Sequence, residues 1–264
     1  MTVHTVIFDL NDSAGFYSTF FFMCQAYIYA KKKGADFYIQ PTNWYYTYEE
    51  GWHDYFTTLK LLPKEANYSK IEKFSHMTCN QLPNYTLQEY VQAMKEIYIL
   101  KPALVSRAQE LASNAASLFV RRGDKISSRE AVLIETADIL KKTKLETKPT
   151  IFVQTDDYNV VEELQALLPE SEINSTVPKD KRGSHAHAWR KLTARERKEQ
   201  TEEMLVGLEV CINSTECWSD YTSNVGRFLK LMAPQVKLYS VDNKIPVLQY
   251  DRIYRNPAYG FHLA

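Results

Sequence analysis

Two arginines stand side by side in Phe119-Val120-Arg121-Arg122-Gly123-Asp124-Lys125, where a short apolar run meets a cluster of charge. A guanidinium is a planar fork of donors that matches a phosphate or diphosphate, and a neighbouring carboxylate fixes the direction of the fork. Arg121, Arg122 and Lys125, with Asp124 among them, therefore have the make-up of an anion-holding segment; the other reading of the same residues is a surface ion-pair knot. Two further clusters place polar groups directly after an apolar run: Thr155-Asp156-Asp157, and Thr222-Ser223-Asn224 ahead of Arg227. Arginine forks, carboxylates, hydroxyls and the free amides of a helix amino terminus together make a cradle for a nucleoside diphosphate. Taken singly, Asp156 and Asp157, and likewise Thr222, Ser223 and Asn224, also read as ordinary helix caps.

These clusters need strands to deliver them. Residues 117–120 read as a buried strand with Gly123 at the turn that ends it, and residues 150–154 and 217–219 as further strands. In open α/β sheets ligands bind beyond the carboxyl ends of the strands, so parallel strands would set all three clusters on one rim. Helices are expected at 101–114, 128–142, from Asp156 or Asp157 to 168, at 201–211 and at 225–232, with a last strand at 236–241. The polar tract 178–200, which holds His185 and His187, reads as an exposed, mobile loop. Nearer the amino terminus, a strand at 3–10, a helix at 16–33 closed by Gly34 and a strand at 36–40 form a βαβ unit, which argues for a parallel sheet. Residues 41–100 are crowded with Tyr, Trp and Phe around a helix at 86–97; they read as core and lid packing or as a sugar-stacking surface. The expected fold class is α/β.

Composition removes several classes of function. The 264 residues carry 32 basic and 32 acidic side chains, so no global field draws the chain to nucleic acid or an anionic membrane. The longest greasy stretch, 20–30, is about half the length that crosses a bilayer. Residues 3–10 lack the basic and apolar regions of a secretion signal, which gives a cytoplasmic expectation, of microbial or viral origin. The four Asn-x-Ser/Thr sequons at Asn67, Asn84, Asn174 and Asn213 then read as chance. Cys24, Cys79, Cys211 and Cys217 show no C-x-x-C pair and are expected as free, buried thiols. The oligomeric state stays open.

The ordered motifs FVRRGDK, IFVQTDD and DYTSNVGRFLKLM resemble the carboxy-terminal half of the GDP-fucose-dependent fucosyltransferases of the α-1,6 type, the group of the rhizobial nodulation enzyme and animal core fucosyltransferase. Those enzymes show H-V-R-R-x-D-K, a strand followed by A-T-D-D, and T-F-S-S-x-V-x-R in the same order, and the resemblance covers residues 117–232. The opening Ser13-Ala14-Gly15-Phe16-Tyr17-Ser18 is similar to the glycine-containing first loop of related transferases, where a helix amino terminus faces the sugar donor. The resemblance implies a GT-B-like pair of facing Rossmann-like domains, residues 1–115 on the acceptor side and residues 116–264 binding the nucleotide sugar. It implies inverting transfer of fucose from GDP-fucose to a glycan hydroxyl, with no metal and no cofactor.

In that scheme Arg121 neutralises charge on the leaving phosphate, and the nucleotide sugar is held by Gly15, Phe16, Tyr17, Arg121, Arg122, Asp124, Lys125, Asp156, Asp157, Thr222, Ser223 and Asn224. The absence of a D-x-D triplet agrees with transfer that uses no metal. The family's acid beyond R-R-x-D-K falls on Arg129 in an ungapped match and on Glu130 after a shift of one residue; Glu130 is the candidate base, or else a solvated residue of a helix's first turn. Two positions depart from the pattern: the histidine ahead of V-R-R is Phe119, and an acid that helps read guanine falls at Gly207, with Glu203 and Glu209 within a helical turn. A transferase for another nucleotide sugar, or a binding module without turnover, therefore stays open.

Overall fold

The computed structural model describes residues 4–11, 14–63, 70–112, 115–123, 134–183, 186–220, 223–239, 253–256 and 260–263. The chain divides into two compact units, residues 1–101 with 248–264, and residues 102–247.

The first unit is built on four parallel strands in the order β3-β2-β1-β4: β1 (His4–Leu10), β2 (Asp36–Pro41), β3 (Lys60–Leu61) and β4 (Lys70–Ser75). β1 is central, and Val6, Ile7 and Phe8 are sealed from solvent there, as a strand covered on both faces requires. Helix α1 (Phe16–Lys33) follows β1 and buries residues on most of its circumference, which explains its apolar run. It stops at Gly34, whose φ of 62° is a left-handed turn that a side chain would resist; its amide bonds the Lys31 carbonyl at 3.1 Å and the Ala35 amide that of Ala30 at 3.0 Å. Helix α2 (Leu87–Ile97) opens on a capping box of Thr86 with Glu89.

The aromatic middle of the chain is core. Trp52 stacks on Phe56 with centroids 3.9 Å apart, Phe20 stacks on Trp52 at 6.1 Å, and Trp44 and Tyr55 are buried with them. Tyr45, Tyr46 and Tyr48, ahead of these rings, keep part of their surface exposed. Asp54 closes the loop ahead of them, its carboxylate accepting the amides of Tyr48 at 2.7 Å and Glu50 at 3.0 Å. Strands β10 (Ile253–Asn256) and β11 (Gly260–Leu263) pair antiparallel as a separate hairpin.

The second unit holds five parallel strands: β5 (Ala116–Val120), β6 (Thr150–Thr155), β7 (Glu172–Asn174), β8 (Glu216–Asp220) and β9 (Val236–Tyr239). Their spatial order is β7-β6-β5-β8-β9. Numbered within the unit this is 3-2-1-4-5, the order of doubly wound folds, with the chain's direction of travel reversing between β5 and β8. All five residues of β5 are buried, as the middle strand of such a sheet must be. The helices are α3 (Pro102–Leu111), α4 (Thr136–Thr143), α5 (Asn159–Leu167), α6 (Ala186–Lys191), α7 (Ala194–Asn213) and α8 (Asn224–Met232).

Several expectations change. The tract 178–200 is not a loop throughout: α6 lies inside it, and α7 begins at residue 194 under a capping box of Thr193 with Glu196. Pairs such as Arg195 with Glu199, at 2.9 Å, hold an exposed first half of that helix together. Strand β4 was missed inside the aromatic region, because Lys70, Ile71 and Lys73 face solvent on an edge strand and show no clean alternation. The helix expected over 128–142 is described from Thr136, and 241, the end expected for the last strand, lies outside the described residues. Helix α3, expected ahead of a boundary near 115, groups with the second unit. All four cysteines are free and buried, as expected. Among the described residues no helix is long and apolar enough to cross a membrane.

Candidate functional site

In doubly wound sheets ligands bind beyond the carboxyl ends of the strands where the order reverses, which here is between β5 and β8. The register pairs Val120 of β5 with Thr155 of β6, and Phe119 of β5 with Ser219 of β8. Arg121 and Asp156 therefore leave the sheet side by side, and the loop into α8 leaves at the same height. With neighbouring strands about 4.8 Å apart, three of the clusters read from the sequence share one rim.

Successive residues leaving a strand turn to opposite sides, and the two arginines part accordingly. Arg122 turns inward and is 8% exposed. Its guanidinium donates to both Glu163 carboxylate oxygens, at 3.1 and 3.0 Å, to the Thr136 hydroxyl at 2.9 Å and to the Ile134 carbonyl at 3.4 Å. Burial pushes the Glu163 carboxyl up, but the bonds from Thr136 and Arg122 and the arginine's charge outweigh it, so the group sits below its ordinary value. Arg122 thus ties β5 to α4 and α5, and its fork is not offered to a phosphate. Arg121 stays at the rim, a quarter of its side chain exposed, with Nε 3.8 Å from Asp156 Oδ2. The other oxygen of Asp156 accepts the Arg122 amide at 2.7 Å, which fixes the carboxylate that orients Arg121. Gly123 turns the chain away with φ of 68°.

Asp157 folds an Asx turn just ahead of α5: Oδ1 accepts the Asn159 amide at 3.0 Å, and its own amide bonds the Thr155 hydroxyl at 3.1 Å. Ser223 caps α8 by accepting the Gly226 amide at 2.9 Å, which leaves its hydroxyl proton available, and Asn224 Oδ1 accepts from Arg227 at 3.2 Å. The helix start is seated on the end of β8. A Cβ on Gly226 would lie 1.8 Å from the Asp220 carbonyl oxygen and 2.9 Å from Ser219 Oγ, so only glycine lets the two meet. Asp124, Lys125, Glu130 and Thr222 lie outside the described residues.

The two departures from the family pattern have physical consequences. Phe119 is 5% exposed in β5 and puts no titratable group at its place. A Cβ on Gly207 would fall 1.6 Å from Gln154 Oε1, so the carboxamide of Gln154 occupies the room an acid would need. Glu203 pairs with Arg107 at 2.6 Å. Glu209 bonds Asn213 at 2.8 Å, and burial holds its carboxyl above the ordinary value.

In the first unit, Gly15 precedes α1 with open space about its Cα. The side chains of Phe16 and Tyr17 belong to the aromatic core, Phe16 lying 5.5 Å from Trp44 and Tyr17 hydroxyl 3.2 Å from that of Tyr98. The Phe16 amide donates to the Tyr46 hydroxyl at 3.1 Å. A ligand at this turn would meet backbone and Gly15, not these rings.

No family profile matches the chain, and no curated protein sequence is recognisably similar to it. Solved structures are similar. NodZ alpha-1,6-fucosyltransferase co-crystallised with GDP superposes with a TM-score of 0.62 at 12% identity, over 92% of this chain and 96% of its own. The fucosyltransferase NodZ from Bradyrhizobium gives 0.60 at 12% identity, over 92% and 97%. POFUT1 in complex with GDP-fucose gives 0.58 at 9% identity, over 90% and 98%. The chain has the fold of these fucosyltransferases. The likeness extends beyond residues 117–232 to nearly the whole length, including the first unit, where the sequence resemblance was thin.

Proposed function

We propose that this chain is an inverting, metal-independent glycosyltransferase that moves fucose from GDP-fucose to a glycan hydroxyl, in the manner of the α-1,6 type. The observation that supports it is the rim at the reversal of the second sheet, where Arg121 is held against Asp156 beside the amino terminus of α8. The acceptor oxygen attacks the anomeric carbon of fucose as the bond from that carbon to the β-phosphate oxygen breaks, and GDP departs with the bonding electrons. Arg121 answers the charge that builds on the departing phosphate, and the Ser223 hydroxyl and first amides of α8 add donors that strengthen as that charge grows. Glu130, which lies outside the described residues, is the carboxylate assigned to take the acceptor's proton. The second unit, residues 102–247, holds the nucleotide sugar, and the first unit meets the acceptor.

Phe119 and Gly207 favour one second reading, transfer from a different nucleoside diphosphate sugar. A melting-point series with GDP, UDP and ADP and their sugars separates the two, since a ligand bound by the native state alone raises its melting temperature. GDP and GDP-fucose giving the largest rise, followed by transfer of labelled fucose to a glycan, is the expected result. A larger rise with UDP or ADP sinks the guanine assignment, and no transfer from any bound donor sinks the enzyme.

A further inference from the structure

Several lysine ammonium groups of this molecule are answered by carboxylates: Lys148 meets Glu216 at 2.7 Å, Lys31 meets Glu96 at 2.8 Å, and Lys141 meets Asp138 at 2.7 Å. Lys181 is not among them. It is half-buried, and its Nζ donates at 2.6 Å to the neutral carboxamide of Gln200. The Trp189 ring lies below, its centroid 5.9 Å away. Among the described residues no carboxylate oxygen comes within the 4.0 Å of an ion pair. Burial lowers the ammonium's pKa, and the more distant charges of Asp156 and Asp180 restore only part of it. A cation that has lost water and gained no carboxylate is poised for an anion that the protein does not itself supply.

Its place in the fold says which anion. The loop that holds Lys181 is fastened to the residues just past β6: the Tyr158 amide donates to the Lys181 carbonyl at 2.9 Å, and Asp157 bridges to Arg182 in antiparallel fashion. Asp156, one residue earlier, is the carboxylate that Arg121 approaches at 3.8 Å, and it is the first charge that Lys181 feels. Arg121 and Lys181 thus both belong to the end of β6, Arg121 beside Asp156 and Lys181 through the loop tied to Asp157 and Tyr158, where a doubly or triply charged ligand can draw on both.

We propose that Lys181 is a second cation of this rim and contacts the diphosphate of the bound nucleotide alongside Arg121. The inference rests on the functional reading above and refines it. Gln200 holds the ammonium in position before the ligand arrives, and the lysine, a compact charge on a flexible stem, follows the phosphate oxygens where the rigid arginine fork stays fixed.

Calorimetric titration of the wild-type chain, Lys181→Met and Lys181→Arg with GDP, guanosine and inorganic pyrophosphate is the test. Lys181→Met is expected to weaken GDP and pyrophosphate about tenfold or more while leaving guanosine unchanged, and Lys181→Arg to recover most of the loss. The melting temperature of ligand-free Lys181→Met should hold or rise, because a poorly paired buried charge is gone. Equal GDP affinity in wild type and Lys181→Met overturns the proposal, as does an equal loss for guanosine, which would mark a purely structural effect. If wild type ignores GDP but binds pyrophosphate through Lys181, the assignment of the cation stands and the fucosyl-transfer reading falls. If wild type binds neither, both fall.

Discussion

The two rims of the second sheet treat charge in opposite ways. At the amino rim Glu216 is enclosed: Lys148 and Lys237 pair with it, the Trp218 indole donates to it at 3.2 Å, and Lys237 lies 5.0 Å over the Trp218 ring. Those bonds, the lysines' more than their charge at a distance, bring the Glu216 carboxyl down to about 2. At the carboxyl rim one carboxylate, Asp156, orients Arg121 and lies within the field of Lys181. Where charge is balanced it serves stability, and at the carboxyl rim the proposed reading gives Arg121 and Lys181 an outside anion to meet. Arg122 joins the two behaviours: it stands next to Arg121 in the chain, yet is matched by Glu163 as fully as any group at the amino rim.

That contrast can be broken in four ways. On the proposed reading Arg121 acts on a ligand, so in Arg121→Ala turnover should fall about 100-fold or more while urea unfolding stays close to wild type; retained turnover would dissolve the distinction between the rims. Gly226→Ala forces a methyl into the Asp220 carbonyl, and should cost about 2 to 3 kcal/mol in urea unfolding and lower turnover too, because α8 must back away from β8. Arg122→Met should cost about 2 kcal/mol of stability, since it leaves Glu163 and Thr136 without their donor. Its effect on turnover should be far smaller than that of Arg121→Ala.

Glu216→Gln is the mildest. The folded carboxyl titrates near 2, below its ordinary 4.5, so its contribution is complete above about pH 4.5 and disappears as pH falls toward 2. The variant should lose about 1 kcal/mol at neutral pH, solvent screening trimming the rest, and show a flatter stability curve across that acid window with unchanged turnover. A turnover loss in Glu216→Gln would mean that the amino rim takes part in catalysis.

The strands β5 and β6 were legible because they are central and buried nearly throughout, their sequences short apolar blocks ended by polar clusters, while β8 showed itself by Cys217 and Trp218 ahead of the cap at Ser223. The cap at Ser223 and the helix after it were equally plain, since capping chemistry is local. Edge and surface elements hid. β4 has one face in water, and the charged first half of α7 looks like solvated loop until its i to i+4 pairs are seen. Arg121 and Arg122 could not be told apart, because strand alternation says only that they part, while the sheet's surroundings decide which one is buried. Lys181 gave no sign at all. Its burial comes from backbone ties between two loops, distant in sequence, that no local pattern records.

Gly207 and Gln154 also constrain how this molecule can change over time. A side chain placed at position 207 would meet the Gln154 carboxamide and the Thr176 hydroxyl, so the flexible end of Gln154 must swing aside to admit it. Shortening residue 154 would open that room, so substitutions at the two positions should depend on one another.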